Sequence, residues 1–148
     1  MKKLQQIFKN GDIQVSSPEA MRALGRRIAT LLEAGDVIGL VGDLGAGKTH
    51  LTQGILEGLG ADEPAASPTF SLAHEHQGGR LPAVHFDFYR MESPEEALSI
   101  GWDEFLDRGD VLIIEWADRF DGGLLPPETI WLVLSHRGEH ERTVRLAR

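Results

Sequence analysis

Apolar residues along this chain switch between two spacings, and the switches mark out its elements. Met21, Leu24, Ile28, Leu31 and Leu32 recur at helical spacing. Ser17 stands ahead of them as an N-cap, with Pro18 at the first helical position and Glu19 in the first turn. Gly35 is expected to end that helix. Residues 36–41 then form a short, nearly unbroken apolar run, the pattern of a strand buried on both faces. Helical spacing returns with Leu51, Ile55, Leu56 and Leu59. A loop rich in small residues and proline covers 61–68.

Farther on, 70–76 and 83–89 read as paired strands joined at Gly78-Gly79. The second alternates, with Phe86, Phe88 and Arg90 on one face and His85, Asp87 and Tyr89 on the other. Ser93-Pro94-Glu95-Glu96 is a capping box that starts a helix, and 102–106 predicts a second short helical stretch. Residues 111–114 are four apolar positions in a row, a second fully buried strand. Gly122-Gly123 and Pro126-Pro127 break the chain before a closing hairpin, 129–135 and 142–146, around Gly138. At the other end, 4–9 and 12–15 predict a hairpin that turns at Asn10-Gly11. Helices alternating with strands around apolar central strands predict an α/β fold. The expectation is a three-layer domain with a mixed, mainly parallel central sheet and a C-terminal β-hairpin.

Composition narrows the class. The chain has 148 residues, 41% hydrophobic and 26% charged, which suits one globular domain spanning 1–148. It has no cysteine, so disulfides, thiol catalysis and cysteine zinc sites are excluded. Two lysines near Met1 are not followed by an apolar stretch, and no apolar run approaches the length of a membrane span. The expected address is the cytoplasm, with no membrane partner. The net charge of −8 is concentrated: residues 61–130 carry 15 acidic against 4 basic side chains. No basic stripe exists for direct nucleic-acid binding, so any RNA would be held through a partner.

The chemistry is concentrated in 42–49, Gly-Asp-Leu-Gly-Ala-Gly-Lys-Thr. This is a complete G-x-x-x-x-G-K-[ST] loop between a predicted strand and a predicted helix, the context that such a motif requires. Gly42, Gly45 and Gly47 allow the backbone N–H groups to curl toward an anion, and the helix adds its positive N-terminal end. Lys48 can reach the outer phosphates and the Thr49 hydroxyl can hold Mg²⁺. The loop predicts a P-loop NTPase-like domain that binds a nucleoside triphosphate.

A phosphate loop needs an acidic partner at the end of a neighbouring buried strand, and Glu115 directly follows 111–114. Ser67-Pro68-Thr69-Phe70 stands where a γ-phosphate sensor often sits, although such a sequence also makes an ordinary turn. Asp87 is a candidate to orient or deprotonate the attacking water, or to give Mg²⁺ a second acidic contact. His74, His76 and His85 are weaker candidates for a metal site, since strand histidines are more often half-exposed polar residues. Trp116 could cover the nucleotide, but the core is the safer place for it.

Taken together, 42–49, Ser67–Phe70, His85-Phe-Asp-Phe-Tyr-Arg90 and Ile114-Glu-Trp116 resemble the TsaE (YjeE) family, small bacterial ATPases needed for threonylcarbamoyladenosine modification of tRNA. The resemblance spans about 17–127. It implies a Mg²⁺-dependent ATPase acting on a complex of TsaD and its companion TsaB, with ATP hydrolysis resetting the synthase between turnovers. Carried over, the phosphate-binding residues are Asp43, Leu44, Gly45, Ala46, Gly47, Lys48, Thr49 and His50. Thr49 and Glu115 would hold Mg²⁺, and Lys48, Asp87 and Glu115 would carry catalysis. Residues 67–70 and 85–90 would be switch-like. Ala117 stands where the family commonly has proline, and His50 where threonine is usual.

Two other readings fit a phosphate loop. A metabolite kinase usually needs an arginine-bearing lid, whereas Arg22, Arg26 and Arg27 sit on the first helix. A nucleotide-gated binding module would need only slow hydrolysis. A separate expectation concerns 92–110, whose seven acidic residues face Arg108 alone. This is either a solvated face or a docking surface for a basic partner, with an exposed Trp102 as its aromatic anchor.

Overall fold

The two buried strands predicted from apolar runs lie side by side at the centre of one seven-stranded sheet. The computed structural model describes residues 2–43, 45–61, 73–120 and 124–147. Leu44, the 67–70 segment, Phe70 to Leu72 of the predicted strand, and Gly122-Gly123 lie outside the described residues. The strands are β1 (Ile13–Val15), β2 (Val37–Gly42), β3 (Ala73–His76), β4 (Ala83–Asp87), β5 (Val111–Glu115), β6 (Ile130–Arg137) and β7 (Glu141–Ala147). Their order is β1-β7-β6-β2-β5-β4-β3. The four inner strands β4, β5, β2 and β6 run parallel; β3 extends one side and β7 and β1 the other, all by antiparallel pairing. The C-terminal hairpin is therefore part of the main sheet.

Side-chain alternation in the central strands creates two cores. Val111 and Ile113 point toward the layer of α2 (Pro18–Ala29) and α3 (Lys48–Leu59), where they join Ile28, Ile38 and Ile55. Leu112 and Ile114 point the opposite way, into a cluster with Phe86, Phe88, Trp102 and Phe105 under α4 (Pro94–Ser99) and α5 (Trp102–Arg108). Burial on both faces is why β5 reads as an unbroken apolar run. This is the expected three-layer α/β arrangement.

Local signals account for most helix ends. Ser17 caps α2 by accepting from the Ala20 N–H at 3.0 Å, with Pro18 at the first helical position. The helix stops at Thr30 rather than at Gly35. The Thr30 hydroxyl donates to the Arg27 carbonyl at 2.7 Å, while Gly35, at φ +86°, turns the chain toward β2 and donates to Gly109. Leu31 is consequently only half-buried. Ser93 and Pro94 start α4 as predicted, but the Ser93 side chain makes no capping hydrogen bond. Helices α2 and α3 approach backbone to backbone at Gly25 and Gly54, where a Cβ would meet main-chain atoms of the opposite helix.

Three expectations are corrected. Residues 4–9 do not form a hairpin strand; α1 (Lys2–Gln5) occupies the start. Leu4 and Phe8 both bury, which fits a spacing of four, and Phe8 N–H donates to the Leu4 carbonyl at 3.2 Å. β1 pairs instead with β7, with Ile13 opposite Val144. Trp102 is 1% exposed, not a surface anchor; its ring lies edge-on to Phe86 at 5.1 Å. Finally, β4 ends at Asp87, because 88–90 coil into a short 3-10 turn whose Tyr89 N–H is bonded by the Asp87 carboxylate at 3.0 Å. Tyr89 thereby leaves the face shared by His85 and Asp87, and Arg90 folds back to Asp87 at 3.4 Å. No helix among the described residues is long and apolar enough to cross a membrane.

Candidate nucleotide site

The 42–49 loop joins β2 to α3 at the carboxyl end of the parallel strands, where open α/β sheets place ligands. Gly47 immediately precedes the first residue of α3 at φ +104°, and a Cβ there would also press on the Met21 side chain. Only glycine suits that position. With Gly47 at the cap, the helix directs its unpaired N–H groups into the loop.

Lys48 is nearly buried. Its Nζ donates to the Gly42 and Asp43 carbonyls at 2.7 and 2.9 Å and lies 4.2 Å from the centroid of the Trp116 ring. Burial holds its pKa below the usual lysine range, against the opposing charges of Glu115, Asp43, Asp118 and Asp87. Trp116 stands at φ +58°, a left-handed conformation rare for a bulky side chain. Its ring meets the second core on one side, Lys48 at the site, and exposed Tyr89 at 4.8 Å. Trp116 thus packs against the core, as expected, and also walls the site.

Glu115 ends β5, adjacent to Leu40 on β2 and Asp87 on β4, and is 5% exposed. The Thr49 hydroxyl lies 3.3 and 3.4 Å from its two carboxylate oxygens. These two groups close a cleft of about 270 Å³ with Gly45, Gly47, Lys48, His50 and Trp116. A hydroxyl and a carboxylate are hard oxygen donors. They fit Mg²⁺, which takes few protein ligands and completes its shell with water and phosphate oxygens.

The Asp87 carboxylate is partly buried beside Glu115. Desolvation raises its pKa above the usual aspartate range; the Tyr89 N–H works against this, and the Glu115 charge adds to it. His85 is fully buried, with Nε2 2.7 Å from Glu115. His74 lies opposite His85 across the β3–β4 ladder. Among the described residues, no group of three His, Asp or Glu side chains is placed to hold a metal, so the histidine site is not formed there.

Two contributions escaped the sequence. His85 reaches Glu115, although the His-x-Asp spacing that puts both residues on one strand face was visible. Arg142, on β7, donates from Nε to the Gly45 carbonyl at 3.1 Å. It lines a second cleft of about 450 Å³ with Ser17, Met21, Gly47, His50 and His140. No sequence spacing links β7 to the loop 97 residues earlier. Of the predicted phosphate-binding residues, Asp43, Gly45, Ala46, Gly47, Lys48, Thr49 and His50 lie together in the loop and the first turn of α3. Arg22 and Arg26 are paired with Glu19, and Arg26 also with Glu57.

The family model for threonylcarbamoyl adenosine biosynthesis protein TsaE matches residues 15–144. The tRNA threonylcarbamoyladenosine biosynthesis protein TsaE of Bacillus subtilis is 40% identical over 128 residues, 86% of this chain and 79% of that protein. The protein of the same name from Nostoc is 38% identical over 138 residues, covering 90% and 83%. The crystal structure of Bacillus subtilis YdiB superposes with a TM-score of 0.74 at 33% identity, over 91% of this chain and 82% of that one.

Proposed function

Because this chain belongs to the TsaE family of tRNA threonylcarbamoyladenosine biosynthesis proteins, we propose that it is the ATP hydrolase of that machinery. In this reading it acts in the cytoplasm, as a single domain, with Mg²⁺ as cofactor. The observation that carries the reading is the meeting of Thr49 and Glu115 at the mouth of the phosphate loop. A carboxylate that leaves the end of a buried strand to face a loop hydroxyl is the pairing that phosphoryl transfer needs.

The loop N–H groups and the N-terminus of α3 bind the phosphates, and Lys48 spreads its charge over the outer ones. Lys48 sits under Trp116 in a water-poor setting, where its charge acts with little screening. Thr49 and Glu115 would hold Mg²⁺, which supplies charge neutralisation at the phosphate oxygens when bound. Asp87, next to Glu115 in the sheet register, orients the attacking water. Its raised pKa brings it nearer the range in which a base works efficiently. The larger cleft, lined by Ser17 and Arg142, accepts the nucleoside. Hydrolysis drives the cycle of the TsaB–TsaD complex, and tRNA is met only through those partners, in keeping with a chain of net charge −8. Arg22 and Arg26 lie on α2, paired with Glu19 and Glu57, which favours hydrolysis over a kinase with an arginine-bearing lid.

The test is phosphate release from ATP with no acceptor, with and without TsaB–TsaD. Lys48→Ala should weaken nucleotide binding by about 2–3 kcal/mol while leaving circular dichroism unchanged. Glu115→Gln should lose hydrolysis well before it loses binding, since the amide keeps the size and gives up the charge. Undiminished ATPase activity in a folded Lys48→Ala protein would overturn the assignment.

A further inference from the structure

The Glu115 carboxylate has two hydrogen-bonding neighbours among the described residues, Thr49 and His85. Thr49 belongs to the phosphate loop, but His85 needs a separate explanation. It sits in the middle of β4, between Ile113 on β5 and His74 on β3, and is 0% exposed. Placing an imidazole there is costly unless its polar atoms are satisfied. A histidine retained for structure alone would be expected to use both ring nitrogens. This one uses a single nitrogen: Nε2 meets Glu115 Oε2 at 2.7 Å, while Nδ1 has no partner among the described residues. An ionised carboxylate only accepts, so in this contact Nε2–H is the donor.

Asp87 is closer to Glu115 in register, but its carboxylate is drawn to the Tyr89 N–H and to Arg90. Among the described residues, His85 is therefore the side chain that restrains Glu115 from behind. The restraint matters because the terminal torsion of a glutamate is broad. The Thr49 hydroxyl lies almost equally near both oxygens, at 3.3 and 3.4 Å, so it does not choose between them; the His85 contact to Oε2 does, and leaves Oε1 as the oxygen not held from behind. Outer hydrogen bonds of this kind orient metal ligands, and losing one typically costs 10- to 100-fold in metal affinity.

Resting on the Mg²⁺ reading above, we propose that His85 is a positioning residue that clamps one oxygen of Glu115 so that the other is presented to the metal beside Thr49. The clamp acts on metal binding and leaves nucleotide recognition to the loop.

The experiment measures affinity of the full chain for a fluorescent, slowly hydrolysed ATP analogue, first in EDTA and then across a Mg²⁺ titration. His85→Leu should bind the analogue in EDTA as the unmodified protein does. Its Mg²⁺ midpoint should rise at least about tenfold. His85→Gln, whose amide nitrogen can occupy the place of Nε2, should restore most of the response. An unchanged midpoint in His85→Leu, or equal shifts in Leu and Gln, would show that the ring only fills space. Should His85→Leu fail to fold, His85→Asn replaces it: its amide is one methylene short, so its midpoint must exceed that of His85→Gln, and equality refutes the clamp. If the unmodified protein shows no Mg²⁺ response, the ATPase reading falls and takes the clamp with it. A normal response that His85→Leu leaves untouched removes the clamp alone.

Discussion

Asp87 shows how one carboxylate is pulled between fold and site. It holds the 3-10 turn through the Tyr89 N–H and pairs with Arg90, yet desolvation and nearby Glu115 disfavour its charge. A group whose folded pKa is raised binds its proton more tightly in the native state. Its contribution is therefore favourable below the ordinary aspartate range and is lost as pH rises through the folded value. Above that value the ionised Asp87 works against the fold. Asp87→Asn should therefore melt at a higher temperature than the unmodified protein at pH 7, with the difference closing as pH falls below the ordinary aspartate range. The same variant should hydrolyse ATP more slowly. A melting difference with normal hydrolysis would make Asp87 structural; slow hydrolysis with a lower melting temperature at pH 7 would contradict the desolvation account.

At the scale of elements, the contact that matters most for the site is that of α2 against α3. Helix α3 carries Lys48 and Thr49, and α2 brings Ser17 and Met21 to the larger cleft. The two helices are held in close register by Gly25 and Gly54, each under the backbone of the other. In an isolated helix Gly54→Ala would gain about 1 kcal/mol from propensity. Here the added methyl meets the Arg22 carbonyl, and overpacking of this kind costs about 1–3 kcal/mol or more. The net effect should be a lower melting temperature together with weaker nucleotide binding, because the helices must part. Glu57→Ala, one turn farther along α3, removes an exposed ion pair with Arg26, which solvent screens, and should change the melting temperature little. A Gly54→Ala protein as stable as Glu57→Ala would mean that the helices yield without cost.

Over the whole molecule, the acidic excess lies on the α4–α5 side of the sheet. Glu92, Glu95, Asp103, Glu104 and Asp107 are exposed there, whereas Asp110 is buried against Arg108 and Trp102 against the sheet. The aromatic anchor is gone, so beside the exposed Leu98 of α4 this face offers a partner mainly charge. Triple charge reversal of Glu95, Glu96 and Asp103 to Lys should reduce affinity for TsaB–TsaD and flatten its salt dependence, since exposed charges act over a Debye length of about 10 Å at 0.1 M. Affinity and salt slope equal to those of the unmodified protein would mark the face as solvated surface.

What the sequence determined by itself was whatever depends on near neighbours. The glycines and Lys48-Thr49 of the loop, the Ser17-Pro18 helix start, the apolar run of β5 with Glu115 at its end, and the closing hairpin are all written within a dozen residues, at spacings set by backbone geometry. Where two spacings competed, as for Leu4 and Phe8, the pattern was ambiguous and burial of both side chains settled it. The tertiary structure decided the rest. Nothing local says that β4 lies beside β5, and so nothing local says that His85 meets Glu115, 30 residues away, or that Arg142 reaches Gly45. The burial of Trp102 and the exposure of Tyr89 were likewise set by which faces the sheet covers. Periodicity tells a residue which side of its own strand it occupies, but the neighbour on that side is chosen by strand order, and strand order is a property of the whole packed sheet.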